Sequence, residues 1–299
     1  MTVQCPMSDV RCPMSKSTRA PVLLVMLALV LGSCGGSGTG KSDGSLTGGV
    51  SETRAYYQVL DLPSGQVTAH GAIADLATNP LYRTTKVVFR LVDLASGTIG
   101  TSASGLGAAL DPTASSASAA PFYLAVFETT QAQWVALAGS TPWTQLTSID
   151  GSDDVRIGDD LPAVGISHDL ATTAVASYRS ARAVRLALPS DVQWELACRG
   201  GGSSTWSWGE NSDQATVAAA AVVWETTGTT RGARPVGQRA VSALGFYDLH
   251  GNVAELTAAQ HLRGGAWNDP VSTARAAQRA VIDPATRHLL AGVRLIYVP

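Results

Sequence analysis

From Trp206 to Tyr297 no segment keeps a helical or strand period for long; short apolar pieces alternate with glycine, proline and polar turns. A stretch like this cannot hide its apolar groups by stacking regular elements. It has to be held by buried aromatics and loop hydrogen bonds, which suits an α+β fold with few helices, short strands and much irregular chain. At 299 residues there is room for one large domain or two small ones. With 45% hydrophobic and only 15% charged residues, and with alanine supplying most of the excess, tight small-residue packing is expected. A net charge of -2, both signs mixed along the chain, gives no field for a polyanion, so nucleic acid is not an expected partner.

Regular elements concentrate before Trp206. Tyr56 to Leu60 and Thr84 to Val92 read as strands, with turn residues Pro63-Ser-Gly65 between them. The segment 95–120, rich in Ser, Ala and Gly, reads as a loop. Thr130-Gln-Ala-Gln133 is a capping box, followed by Trp134, Leu137 and Ala138 on one face and by Gly139 as a stop. Ser190-Asp-Val-Gln193 repeats the device, with Trp194 and Ala197 behind it and Gly200 to Gly202 closing it. A third helix is expected from near Ser167 to Arg182, since Leu170, Ala174, Val175 and Tyr178 recur at helical spacing.

At the N-terminus Lys16 and Arg19 precede an apolar run, Val22 to Leu31, too short to span a bilayer but suited to a signal-peptide core. The run ends in Leu31-Gly32-Ser33-Cys34, which resembles a bacterial lipobox; cleavage before Cys34 and lipidation of its thiol are the expectation. An ordinary secretory signal followed by a chance cysteine is the alternative. Residues 1–13 fit a signal poorly, which makes Met14 a candidate start. The organisation expected is therefore a lipoprotein signal peptide over 1–33, a Gly/Ser-rich tether over 34–54 and a folded domain over 55–299. Gly35 after the cysteine resembles the pattern of lipoproteins sent to an outer membrane of the cell envelope. Lipid chains contribute about 0.8 kcal/mol per buried methylene, so such a protein is membrane-anchored without a spanning helix. The mature domain then keeps one cysteine, Cys198, which can make neither an internal disulfide nor a two-thiolate metal site.

Seven blocks then follow in order: Phe122 to Trp134, Leu188 to Gly201, Trp208-Gly209, Pro235 to Gln238, Ala243 to Glu255, Leu262-Arg-Gly-Gly-Ala-Trp267 and Gly292-Val-Arg294. Their series resembles the formylglycine-generating enzyme (sulfatase-modifying factor) family, whose domain has a C-type-lectin-like fold. The resemblance covers roughly residues 84–299, with 55–83 as an N-terminal strand extension. Enzymes of that family use two cysteines to bind copper and oxidise a substrate cysteine. Laid on this chain those cysteines fall at about Asp269 and Ala274, neither of them a thiol. Carboxylate does not replace thiolate as a soft copper(I) ligand, so no copper is expected. Cys198 sits in a helix and reads as a small buried apolar residue.

The resemblance implies a structural calcium on the side chains of Asp248 and Glu255 and the backbone oxygens of Gly251 and Val253; hard oxygens and a turning glycine suit that ion. A turn held by Asx-type hydrogen bonds with no ion is the competing reading. The family's other calcium position reads Gly237 where a carboxylate is expected. Trp267, Asn268, Asp269, Ser272 and Thr273 are the expected ligand-facing residues, beside the glycine pair 264–265. Arg263 and Arg294 are expected to bridge loop carbonyls and carboxylates inside the fold. The five histidines, 70, 168, 250, 261 and 288, form no metal-type grouping, and His250 reads as a turn residue. The function these residues support is a non-catalytic, surface-anchored lipoprotein that binds a protein or glycan; the resemblance also includes variable proteins of diversity-generating retroelements. The alternative is a formylglycine-generating, oxidase-like protein-modifying enzyme.

Overall fold

A computed structural model describes residues 55–100, 111–146 and 155–299. Contacts divide the chain into 1–51 and 52–299, and every described residue belongs to the second unit. The expected signal peptide, Cys34 and the whole tether lie outside the described residues. Among the described residues no helix is long and apolar enough to cross a membrane.

The described strands are β1 (Tyr57–Asp61), β2 (Val67–His70), β3 (Lys86–Val92), β4 (Gly97–Ile99), β5 (Ser115–Ala117), β6 (Phe122–Ala125), β7 (Leu186–Ala187), β8 (Ala254–Leu256), β9 (His261–Arg263), β10 (Arg279–Val281), β11 (Ala291–Val293) and β12 (Ile296–Tyr297). Six of them form an antiparallel sheet in the order β2-β1-β3-β6-β12-β7. Four more form a second sheet, β10-β9-β8-β11, in which β8 and β11 run parallel. The strands at 57–70 are thus part of the main sheet through β1 beside β3. β3 is buried on both faces, Val87 and Phe89 entering one core cluster and Val88 another, which is why its sequence is almost continuously apolar. The segment 95–120 departs from expectation: β4 and β5 pair within it. Alternating Ser and Ala leave no polar-apolar contrast from which to read a strand.

Five helices are described: α1 (Gln131–Ala138), α2 (His168–Arg182), α3 (Asp191–Arg199), α4 (Gln214–Ala220) and α5 (Trp224–Thr227). Thr130 and Ser190 make the reciprocal capping bonds that their sequences predict, and Gly139 and Gly200 close the two helices in the left-handed region. Ser167 caps α2. One face of the main sheet packs on Trp134 and Leu137 of α1 and on Ala171, Ala174, Val175 and Tyr178 of α2. The Tyr178 hydroxyl donates to the Leu62 carbonyl at 2.7 Å. Trp194 and Ala197 of α3 pack with Phe122 and Leu124 of β6. Trp134, Trp194 and Trp267 are all fully buried. At about 25 cal/mol per Å² over roughly 200 Å² of ring, each contributes about 5 kcal/mol before entropy is counted. Indoles therefore do for the irregular half what long helices do elsewhere.

Candidate ligand-binding face

The loop from Gly264 to Ala274 is fastened to the rest of the fold by backbone. Gly251 N–H donates to the Gly264 carbonyl at 2.9 Å, and Trp267 N–H donates to the Asn252 carbonyl at 3.0 Å. Gly251 and Gly264 have φ of 79° and 84°. A Cβ on Gly264 would stand 2.9 Å from the Leu249 carbonyl oxygen, and one on Gly251 would overlap the Val222 carbonyl. Glycine is required because two segments of this chain meet there; the close approach is internal and not made to a ligand.

This corrects the expectation for Trp267. Its side chain is 1% exposed, packs in the main core with Val222, Val253 and Val293, and has the Arg231 guanidinium 5.5 Å from its ring centroid. An indole, once sequestered by such contacts, is core. Asp269 is half-buried: its Oδ2 accepts from Ala266 N–H at 2.9 Å and its carbonyl from Trp224 N–H at 2.9 Å. Burial pushes the Asp269 carboxyl above the usual range, and the Ala266 N–H pulls against that shift. Ser272 and Thr273 lie half-buried on a 3-10 turn, where the Thr273 hydroxyl donates to the Pro270 carbonyl at 2.9 Å. Asn268 is half-buried and its Oδ1 is an enclosed acceptor with no partner among the described residues.

Sequence reasoning missed Trp224. It is 55% exposed, its backbone is tied to Asp269, and Arg231 lies 5.8 Å from its ring centroid. The neighbouring Glu225 carboxylate accepts from Val271 N–H at 3.0 and 3.2 Å, so the start of α5 and the 268–273 turn form one surface. An aromatic at the first turn of a short helix was the available signal.

Behind that surface lies a buried polar layer. Trp206 donates through Nε1 to the Val271 carbonyl at 3.2 Å, and its ring stacks on Trp208 at 5.7 Å. His250 sits in a bend and is buried there: its Nδ1 donates to the Ala274 carbonyl at 2.7 Å, and Ser207 N–H donates to its Nε2 at 2.9 Å. Burial lowers the His250 pKa to about 4. Cys198 is buried with Sγ 3.4 Å from His250 Nε2, and burial pushes its thiol up to about 12. At neutral pH it is an unreactive thiol.

Arg263 and Arg294 do bridge the interior. Arg263 donates to Glu195 Oε2 at 2.6 Å and to the Ala276 carbonyl at 2.8 Å. Arg294 is fully buried; it holds Glu255 through bonds of 2.6 and 2.9 Å and the carbonyls of Ala125, Val126 and Tyr247 at 2.8 to 3.0 Å. Trp194 Nε1 adds a bond to Glu255 Oε2 at 2.6 Å.

The expected calcium set does not fit as arranged. Both Glu255 oxygens face a guanidinium, and a calcium ion there would sit beside a full positive charge. Asp248 Oδ2 accepts from Gly237 N–H at 2.6 Å. Among the described residues no group of three or more His, Cys, Asp or Glu side chains is placed to hold a metal. Burial raises the Asp248 pKa to about 6, against the pull of the Gly237 N–H and Arg294. Burial also raises the Glu128 carboxyl well above the usual range, helped by the charges of Asp248 and Glu255.

The chain matches the model of the sulfatase-modifying factor enzyme 1-like domain over residues 90–298. Similar solved structures include PvdO from Pseudomonas aeruginosa, at TM-score 0.61 and 19% identity, covering 71% of this chain and 94% of that one. Treponema denticola variable protein 1 is similar at TM-score 0.59 and 17% identity, covering 72% and 96%. CarF is similar at TM-score 0.51 and 17% identity, covering 69% and 99%. At these identities the likeness is one of fold. Comparison with curated proteins by sequence finds no match.

Proposed function

Because the chain belongs to the sulfatase-modifying factor enzyme 1-like family, we propose that it is a non-catalytic, lipid-anchored envelope protein whose domain binds a protein or glycan. The observation that carries this reading is what stands at the two positions where the resemblance would put copper-binding cysteines. Asp269 is tied into a backbone turn, and Ala274 is wholly buried against Gly265. Neither offers a thiolate, and Cys198, the one cysteine among the described residues, is held protonated in the core. The surface left at that place is an exposed indole, Trp224, beside the half-buried Asn268, Ser272 and Thr273. Aromatic and adaptable polar groups on a rigid frame suit recognition.

A printed glycan array and a panel of purified envelope proteins, probed with the full chain and with Trp224→Ala, test the reading. The expected result is a retained ligand whose affinity falls at least about tenfold in the variant, as for an aromatic anchor, at unchanged circular dichroism. Binding that is indifferent to Trp224, Asn268 and Ser272 alike would contradict it. The Treponema variable protein among the fold's neighbours motivates a further check: a near-copy of the coding sequence for 268–288 beside a reverse transcriptase gene.

A further inference from the structure

We propose that the groove between α2 and β7 is a docking site for the C-terminal end of an extended peptide, with an apolar last side chain and a free carboxylate. β7 closes the six-stranded sheet: it pairs with β12, and among the described residues no strand lies beyond it. Val298 N–H donates to the Arg185 carbonyl at 3.0 Å. Antiparallel alternation then turns the backbone groups of Arg185 and Ala187 toward β12 and those of Leu186 toward the open edge. The Leu186 N–H is taken by the Val184 carbonyl at 3.0 Å. The Leu186 carbonyl, and the N–H and carbonyl of Leu188 that follow it, have no hydrogen-bond partner among the described residues. Such an edge is completed by one more extended chain, through main-chain bonds that do not depend on its sequence.

The side chains beside that edge set what the peptide must carry. Thr172, Val175, Ala176 and Arg179 recur on α2 at i, i+3, i+4 and i+7, one stripe of the helix. Together with Leu188 and Ala258 they line a cavity of about 230 Å³. Val175 and Leu188 are buried and continuous with the main core, whereas Ala176 and Ala258 are exposed. An apolar side chain laid there covers surface that the fold leaves open to water. The volume lies below the roughly 300 to 1,000 Å³ of most small-molecule sites and suits one side chain on a length of backbone. Arg179 is the one charged residue of the lining; it is exposed and has no ion pair or hydrogen bond among the described residues. A guanidinium without an acid, at the C-terminal end of an apolar stripe, selects a carboxylate through its planar fork. Three demands thus meet in one occupant: extended backbone for the edge, an apolar side chain for the groove and a carboxylate for Arg179. A chain end supplies the last two on a single residue. A fatty acid would answer those two and leave the edge unpaired. The groove shares no residue with the face around Trp224, so the inference goes beyond the reading above and does not depend on it.

The test is an array of pentapeptides, Ser-Gly-Ser-X-Z, in which X and Z run over the apolar residues, each made with a free C-terminal carboxylate and as the amide, probed with the full chain. The parent should retain carboxylate peptides with a large apolar Z, and amidation should weaken that retention by about tenfold or more. Arg179→Gln should erase the difference between the two forms, and Arg179→Lys should keep part of it. Ala176→Trp, at an exposed position, fills the groove and should abolish retention at unchanged circular dichroism. Trp224→Ala should leave retention intact, which separates this site from the face proposed above. Retention of no peptide by the parent, or retention indifferent to both amidation and Ala176→Trp, overturns the proposal. Self-association of the parent in sedimentation that Ala176→Trp removes would make a second copy the occupant and overturn it equally.

Discussion

His250 is built into the core as a neutral ring, donating to Ala274 and accepting from Ser207. Its pKa, depressed to about 4 by burial, makes a stability statement with a definite sign. The folded value lies below the unfolded one near 6.5, so the contribution is complete above that pH and is lost as pH falls toward 4. For the 2.5-unit difference the loss is about 3 kcal/mol. Asp248, raised by burial, acts in the opposite sense over part of the same window, so the comparison should be made against a variant. Urea melts of the parent and His250→Gln should show a stability gap that narrows between pH 6.5 and 4; a constant gap would contradict the assignment. Arg294 answers for three carboxylates, Glu128, Asp248 and Glu255. Arg294→Ala should destabilise the domain by about 3 to 5 kcal/mol, because the bound carboxylate is left buried and alone.

Among the elements, those with chemical end signals were legible in the sequence. Thr130 with Gln133, Ser190 with Gln193, and Ser167 before an apolar stripe mark three helix starts that the structure places at the same residues. Thr130→Ala should lower stability by about 1 kcal/mol and the melting temperature by about 2 to 4 °C; no change would mean that the cap is redundant. α4 was not legible, since an alanine run carries no apolar stripe, although Asp213 caps it by accepting from Ala215 and Thr216 N–H. β4 and β5 went unread for want of any alternation. The 248–255 loop was legible only in part. Its carboxylate-glycine pattern is the one a cation would use, but the partner of Glu255 is Arg294, thirty-nine residues away, and no local spacing reports that. Melting curves with calcium and with chelator should therefore coincide; a rise on calcium that Asp248→Ala abolishes would restore the ion.

For the whole molecule, seven spaced blocks identify the frame, and the six-stranded and four-stranded sheets agree with it. The face is less legible because exposure is a tertiary property: Trp267 and Trp224 look alike as letters, and packing by Val222, Val253 and Val293 makes Trp267 the core one. The central claim is that this frame has lost the sulfurs that oxidise thiols and keeps a recognition surface in their place. Its most direct test is oxygen uptake by the copper-loaded full chain supplied with a cysteine-containing peptide. The account predicts uptake no faster than that of copper and peptide alone, with the peptide mass unchanged; catalytic conversion of the cysteine to an aldehyde would contradict it.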